Sequence, residues 1–212
     1  MTDIQAVVFD LGAVVIDWEP RLLYRKIFDG DEAKMEMFLS QICPPEWNAK
    51  QDAGRPLADA TAERVAAHPE WEREIHAFYG RWIEMVGGPI PGTAEIMREL
   101  AALGVRLFAL SNWSAETFPL VRGRFPELDL FEKIVISGEH GCAKPDERFY
   151  RLALEKFGLP AEGLLFIDDS QRNIAAAERL GFKSLVFTSA KELRGDLRAM
   201  GFALNSAGRD SA

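Results

Sequence analysis

Phe9-Asp10-Leu11-Gly12-Ala13-Val14-Val15-Ile16-Asp17-Trp18, FDLGAVVIDW in residues 9–18, sets a single carboxylate at the end of an apolar run. Ile4 to Phe9 reads as a buried strand, with Asp10 at its carboxyl end. Four more short apolar runs follow, at Val105–Leu110, Ile134–Ile136, Leu164–Ile167 and Ser184–Phe187. None alternates strictly between apolar and polar, as expected of parallel strands covered on both faces. Helical patterns separate most of them. Ile96, Met97, Leu100 and Leu103 share a face that ends at Gly104. Phe149, Leu152, Ala153 and Phe157 share another, closed by Gly158. Ile174, Ala177 and Leu180 form a third, with Ser170 as N-cap and Gly181 as stop. Strand–helix alternation predicts an α/β fold with a doubly wound parallel core.

The interval from Asp17 to Val86 breaks the alternation and holds no convincing strand. Met35, Phe38, Leu39 and Ile42 stand at helical spacing, as do Ile75, Phe78, Tyr79, Trp82, Ile83 and Val86, with Pro69 suited to a first turn. Gly87-Gly88-Pro89-Ile90-Pro91-Gly92 is a breaker cluster. The simplest reading is a helical cap over residues 17–87, inserted into a core of residues 1–16 and 88–205. Val14–Trp18 and Gly87–Gly92 would be its two hinge strands, and caps of this kind close over sites and exclude water. The alternative is that these helices extend the core. Residues 206–212 read as a disordered tail.

The 212 residues are enough for one large domain, or one core with an insertion. Net charge is −8 and no basic stripe is present, so nucleic acid is not an expected partner. An anionic substrate would need local positive groups. No apolar stretch approaches the ~18 residues of a membrane span. The start of the chain lacks a secretory signal pattern. Cys43 and Cys142 have no disulfide-framework or zinc spacing and read as reduced thiols. The expectation is a cytoplasmic protein. Its oligomeric state is open, because the apolar segment Ile75–Val86 suits either a core or a dimer face.

Ligands of open parallel sheets bind beyond the carboxyl ends of the strands. Those ends here carry Asp10, then Ser111-Asn112, then Asp168-Asp169. The third strand is followed by a loop that includes His140 and Lys144, the latter just before a helix begun by Pro145. One aspartate after a strand is usually a turn residue or a cap. Four polar clusters on one edge are harder to assign to chance. Three carboxylates near one point repel unless a cation joins them, and Asp10, Asp168 and Asp169 are hard oxygen ligands of the kind Mg²⁺ takes. Lys144 adds positive charge and Ser111 a donor. This is an anion site that contains a nucleophile, suited to attack on phosphorus through an aspartyl-phosphate.

FDLGAVV, LSNWS, KPDERFY and FIDDSQRN, in this order between Phe9 and Asn173, resemble the four motifs of the haloacid dehalogenase superfamily. The resemblance implies a Rossmann-like core with a mobile cap. It implies Asp10 as nucleophile, Ser111 and Lys144 as phosphate or anion ligands, and Asp169 as a magnesium ligand with Asp168 beside it. The backbone carbonyl two residues after the nucleophile, here that of Gly12, is implied as a further metal ligand.

One departure matters. Most phosphatases of this superfamily carry an aspartate where this chain has Gly12. That aspartate protonates the leaving alkoxide and then activates water, and glycine does neither. Loss of the acid should favour substrates with a good leaving group. Two subgroups tolerate the loss. The haloacid dehalogenases attack carbon without a metal and lack the paired acidic residues of the fourth motif. A bacterial glucose-1-phosphate phosphatase-like group also reads DLG and keeps the pair, as this chain does. The expectation is therefore a Mg²⁺-dependent phosphatase of a small phosphorylated metabolite, with a sugar phosphate as one candidate. A metal-independent 2-haloacid dehalogenase and a non-catalytic binding protein are the rivals.

Substrate contacts are expected in the loop Pro44–Arg55, where Trp47 would stack on the substrate and Asn48 would hydrogen-bond to it. Trp47 could instead plug the cap against the core. Asn112 joins Ser111 and Lys144 as a ligand of phosphoryl oxygens. Arg21 is either an anion clamp or a solvated helix start. Trp113 is expected to pack against the cap, and His140 is a candidate for the missing proton transfer.

Overall fold

The computed structural model describes residues 4–205. Its strands are β1 (Ala6–Phe9), β2 (Ile16–Trp18), β3 (Val86–Pro89), β4 (Arg106–Ser111), β5 (Lys133–Ile136), β6 (Leu164–Asp168) and β7 (Lys183–Val186). Five of them form one sheet in the order β5-β4-β1-β6-β7. All neighbours in it are parallel. Each expected core strand is present. The absence of alternation has a direct cause in packing. Val7, Phe9, Leu107, Ala109, Leu165 and Ile167 are buried on one face of the sheet. Ala6, Val8, Phe108, Leu110, Leu164 and Phe166 are buried on the other.

Between β2 and β3 the chain forms α1 (Arg21–Ile27), α2 (Glu32–Met37), α3 (Pro45–Asp52), α4 (Leu57–Ala67) and α5 (Glu72–Gly80). Strands β2 and β3 pair antiparallel, with Ile16 opposite Pro89, and form a two-stranded ribbon where the insertion joins the core. Three details differ from the sequence reading. Phe38–Ile42 is a π-helical turn that follows α2. The expected helix through Val86 breaks after Gly80, a poor helix former, and Trp82–Met85 is a 3₁₀ turn. Pro69 opens a separate 3₁₀ turn, Pro69–Trp71, ahead of α5. Tyr24, Phe38, Trp47 and Phe78 fill the interior of the insertion, with ring centroids 4.7 Å apart for Tyr24 and Phe38 and 5.1 Å for Trp47 and Phe78. Ile75 and Phe78 point into this interior, so they serve as core. The interior is continuous with one face of the sheet.

Helices α6 (Thr93–Ala102), α7 (Phe118–Arg122), α8 (Glu147–Phe157), α9 (Gln171–Arg179) and α10 (Ala190–Ala199) cover the sheet. α6, α7 and α10 lie on the face that meets the insertion, and α8 and α9 on the other. Gly158 ends α8 in the left-handed conformation at φ 70°, as its position suggested. α8 starts at Glu147 rather than Pro145, because the Asp146 side chain caps it by accepting the Arg148 N–H at 2.9 Å. Ser170 sits at the N-cap of α9, but its hydroxyl makes no capping bond. Its backbone N–H goes to Asp168 instead. Residues 206–212, expected to form a disordered tail, lie outside the described residues. No helix among them is long and apolar enough to cross a membrane.

Candidate active site

β1 is the centre of the sheet, flanked by β4 and β6. Register aligns Phe9 with Ala109 and with Ile167, so the next residues, Asp10 and Asp168, emerge side by side at the carboxyl edge. Asp10 stays in the ladder by donating its N–H to the Ile167 carbonyl at 2.8 Å. The chain then turns sharply, and the Leu11 carbonyl accepts the N–H groups of Val15 and Ile16 at 2.8 Å each. The left-handed residue of this turn is Ala13, at φ 58°, and not Gly12. A Cβ placed on Gly12 would meet nothing within 4 Å. The backbone therefore does not demand glycine at position 12. Among the described residues, no N–H is donated to the Gly12 carbonyl.

The Asp10 carboxylate is held from three sides. Its Oδ1 accepts the Ser111 hydroxyl at 2.6 Å and the Leu11 N–H at 2.7 Å. Its Oδ2 faces Lys144 Nζ at 3.0 Å. Lys144 Nζ also donates to Asp168 Oδ2 at 2.6 Å, and both of these side chains are buried. An ammonium has three hydrogens, so one remains for a substrate oxygen. Asp168 accepts further bonds from the Asn173 amide at 3.0 and 3.1 Å and from the Ser170 N–H at 2.8 Å.

The charges do not balance. Asp10, Asp168 and Asp169 each offer an oxygen, all within 4.8 Å of one another, and among the described residues Lys144 is the one cation buried against them. Burial pushes the Asp10 carboxyl up to about 7; Lys144 pulls against this, Asp168 adds to it and Ser111 pulls against it. Burial and then the Asp168 charge also raise Asp169 above the usual carboxylate range. Burial alone would lower the Lys144 ammonium, but Asp10 and Asp168 overcome it and hold Lys144 above its ordinary value. A divalent cation would relieve this surplus of negative charge. The three carboxylates are oxygen donors of the kind Mg²⁺ takes.

Several expected residues take other roles. Asn112 was expected to hold phosphoryl oxygens. Its side chain instead clamps the Lys144 backbone, accepting the N–H at 2.8 Å and donating to the carbonyl at 2.9 Å. Trp47 was expected either to stack on substrate from a loop or to plug the cap against the core. The segment is helix α3, and the ring is buried against Phe78 and Tyr79. Arg21 is not a free clamp, because Glu19 at 3.1 Å and Glu36 at 2.5 Å hold it. The His140 side chain makes no hydrogen bond to Asp10, Ser111 or Lys144, and its Nε2 lies 4.0 Å from Glu139. Trp113 packs edge-on against Trp82 of the insertion at 5.7 Å, as expected.

A cavity of about 60 Å³ opens beside Gly12, lined by Asn48, Asp52, Trp18, Trp82, Asn112 and Trp113, among others. Trp18, Asn48 and Asp52 also line a larger chamber of about 470 Å³, whose other walls include Leu39, Cys43, Pro45 and Phe78. Asn48 therefore does face a cavity. Its amide donates to Asp52 at 2.9 Å and its carbonyl accepts the Tyr79 hydroxyl at 2.9 Å. The Nε1 atoms of Trp18 and Trp113 have no hydrogen-bond partner among the described residues. Asp52 is the residue that the sequence reading passed over. Burial pushes its carboxyl up to about 7, against the pull of the Ser114 backbone N–H.

The sequence matches the haloacid dehalogenase-like hydrolase family over residues 4–181. It is 25% identical over 197 residues to drimenol cyclase drtB of Aspergillus calidoustus, covering 92% of this chain but only 36% of that protein's length. It is 25% identical over 213 residues to sesquiterpene phosphatase astK of Aspergillus oryzae, covering 94% of this chain and 97% of that protein. The fold resembles that of the HAD family enzyme bt-2542 of Bacteroides thetaiotaomicron, solved as a magnesium complex. The TM-score is 0.72 at 20% identity, over 92% of this chain and 99% of that one.

Proposed function

The chain belongs to the haloacid dehalogenase-like hydrolases, and we propose that within them it is a Mg²⁺-dependent phosphatase of a small phosphorylated metabolite. The observation that carries this reading is the surplus of carboxylate around one buried lysine at the end of β1. Asp10 attacks phosphorus and forms an aspartyl-phosphate, which water then hydrolyses. Ser111 and Leu11 fix one oxygen of Asp10, so that the other is aimed past Lys144. The third hydrogen of Lys144 Nζ holds a phosphoryl oxygen; the one Ser111 hydrogen goes to Asp10, so Ser111 joins it by turning its hydroxyl from Asp10 to the substrate. Asn112 positions Lys144 rather than binding phosphate. Asp10, Asp168, Asp169 and the Gly12 carbonyl would hold Mg²⁺, which when bound stabilises charge on the transferring phosphoryl group.

The rival reading, a metal-independent 2-haloacid dehalogenase, would use the same Asp10. It leaves Asp168 and Asp169 facing the nucleophile with one lysine among three carboxylates and no cation to relieve the surplus. The substrate's organic part fits the larger chamber. A sugar phosphate is one candidate. The chamber sets Trp18, Leu39, Cys43, Pro45 and Phe78 beside Glu19, Arg21, Glu36 and Asp52, so an alcohol with a sizeable apolar part is a second candidate, and the relative astK is named as a sesquiterpene phosphatase. The small cavity beside Gly12 is below the ~300 Å³ of a typical ligand site. Entry therefore involves movement of residues 17–87 as a cap on the β2–β3 ribbon.

Asp10→Asn tests the reading. It removes the nucleophile with little change of shape, and Lys144 keeps Asp168 as a partner. Phosphate release should fall by at least about 10³-fold while the melting temperature holds or rises. Unchanged phosphate release in this variant would overturn the mechanism, whereas no phosphate release from wild type would suit a chain that only binds its ligand.

A further inference from the structure

Gly12 leaves the reaction without a proton donor on β1. We propose that Asp52, at the end of α3 in the insertion, is the general acid and base for the leaving group. The inference rests on the phosphatase reading above. Asp52 lines the same cavity as Gly12, where the space beside the glycine is open. It also lines the larger chamber, so it stands between the reacting end of the site and the room for the substrate's organic part.

Its placement is fixed by the core. The Ser137 hydroxyl donates to the Asp52 main-chain carbonyl. Ser137 Oγ in turn accepts the Trp113 N–H at 3.0 Å. Two residues on, Gly54 lies close to Gly138, where a Cβ would come within 3.2 Å of the Gly138 carbonyl at a backbone φ of +99°. The end of α3 thus docks on the loops that follow β4 and β5, the first of which begins just after Ser111 while the second carries Lys144. The charged and titratable neighbours leave Asp52 free to hold a proton. Among the described residues it forms no salt bridge. Arg55 is paired with Glu63. Tyr79 donates its hydroxyl to Asn48. Glu116 accepts the Leu57 N–H at 2.9 Å. A carboxyl at about 7 is near the optimum for proton transfer at neutral pH.

In the first step Asp10 forms a bond to phosphorus, the ester P–O bond breaks, and the leaving oxygen takes the proton of Asp52 and departs as an alcohol. In the second, water attacks phosphorus, its proton passes to the Asp52 carboxylate, and the Asp10–phosphorus bond breaks to give inorganic phosphate. Both carboxyl groups return to their starting states.

The test is leaving-group dependence with Mg²⁺ present. kcat is measured for p-nitrophenyl phosphate, whose leaving group needs little protonation, and for farnesyl monophosphate and glycerol 1-phosphate, whose alkoxides need it. In Asp52→Asn the ratio of alkyl to aryl kcat should fall about 10²-fold. Adding Gly12→Asp to that variant should restore much of the ratio, because position 12 has room for a side chain. An unchanged ratio in Asp52→Asn, whether both rates drop together or neither does, overturns the role of Asp52 alone. No Mg²⁺-dependent phosphate release by wild type from any of the three esters overturns the phosphatase reading, and this inference with it. If Asp52→Asn does not fold, Asp52→Glu decides: a shifted ratio supports the role and an unchanged one overturns it.

Discussion

At the scale of single residues, the site is a problem of unbalanced charge. Asp10, Ser111, Lys144 and the Asp168-Asp169 pair were legible in the sequence because each follows a strand of a parallel sheet, and the ends of neighbouring strands must converge. Asp52 was not legible, although it lies in a segment expected to contact substrate. The segment reads as a loop in sequence because it holds Pro44, Pro45 and Gly54. Folded as α3, it places Asn48 and Asp52 on one face, four residues apart, and turns Trp47 and Gln51 inward. The raised carboxyl of Asp52 has a consequence for stability. Its folded value, about 7, lies above the ordinary 3.8, so between those values the folded chain holds a proton that the unfolded chain releases. The stabilisation is fully present below about 4 and is lost as pH rises through 7. Asp52→Asn lacks this dependence. Thermal melts should therefore show the variant gaining several degrees relative to wild type between pH 5 and pH 8. An equal offset at both pH values would place the Asp52 carboxyl in its ordinary range. Asn112→Ala tests the clamp on Lys144. It should cost about 1–3 kcal/mol of stability in denaturant unfolding and lower kcat with it, whereas loss of stability alone would make Asn112 purely structural.

At the scale of elements, the sheet was readable and the insertion only in outline. Strands buried on both faces are continuous apolar runs, and five such runs gave five parallel strands. The insertion's helices are short and are interrupted by a π-helical turn and two 3₁₀ turns, which tertiary packing of Tyr24, Phe38, Trp71 and Phe78 sets and periodicity does not. The β2–β3 ribbon is the natural hinge if residues 17–87 move as a cap. Gly88 there adopts φ +129°, a region reserved for glycine. Gly87 sits where a Cβ would fall 2.1 Å from an Asp17 carboxylate oxygen. Gly88→Ala should lower stability by about 1–3 kcal/mol and change kcat and KM together, as hinge substitutions do. Loss of stability with unaltered kinetics would remove the hinge from the catalytic cycle.

At the scale of the whole molecule, a chain of net charge −8 sets one buried lysine and one serine beside Asp10, so the overall field gives no help in attracting the proposed phosphate substrate. That makes the cation central. Mg²⁺ at 100 times its dissociation constant should stabilise the folded protein by about 2.7 kcal/mol, and Asp169→Asn should abolish most of that gain in a thermal melt without unfolding the chain. The most direct measurement places phosphate release and halide release side by side. Wild-type protein is supplied with a panel of phosphate monoesters and with 2-chloropropionate, each with Mg²⁺ and with EDTA. Phosphate release that requires Mg²⁺ and is lost in EDTA, with no halide released, is the predicted result. Halide release that survives EDTA, with no phosphate released under either condition, would contradict the phosphatase and leave Asp10 as a nucleophile toward carbon.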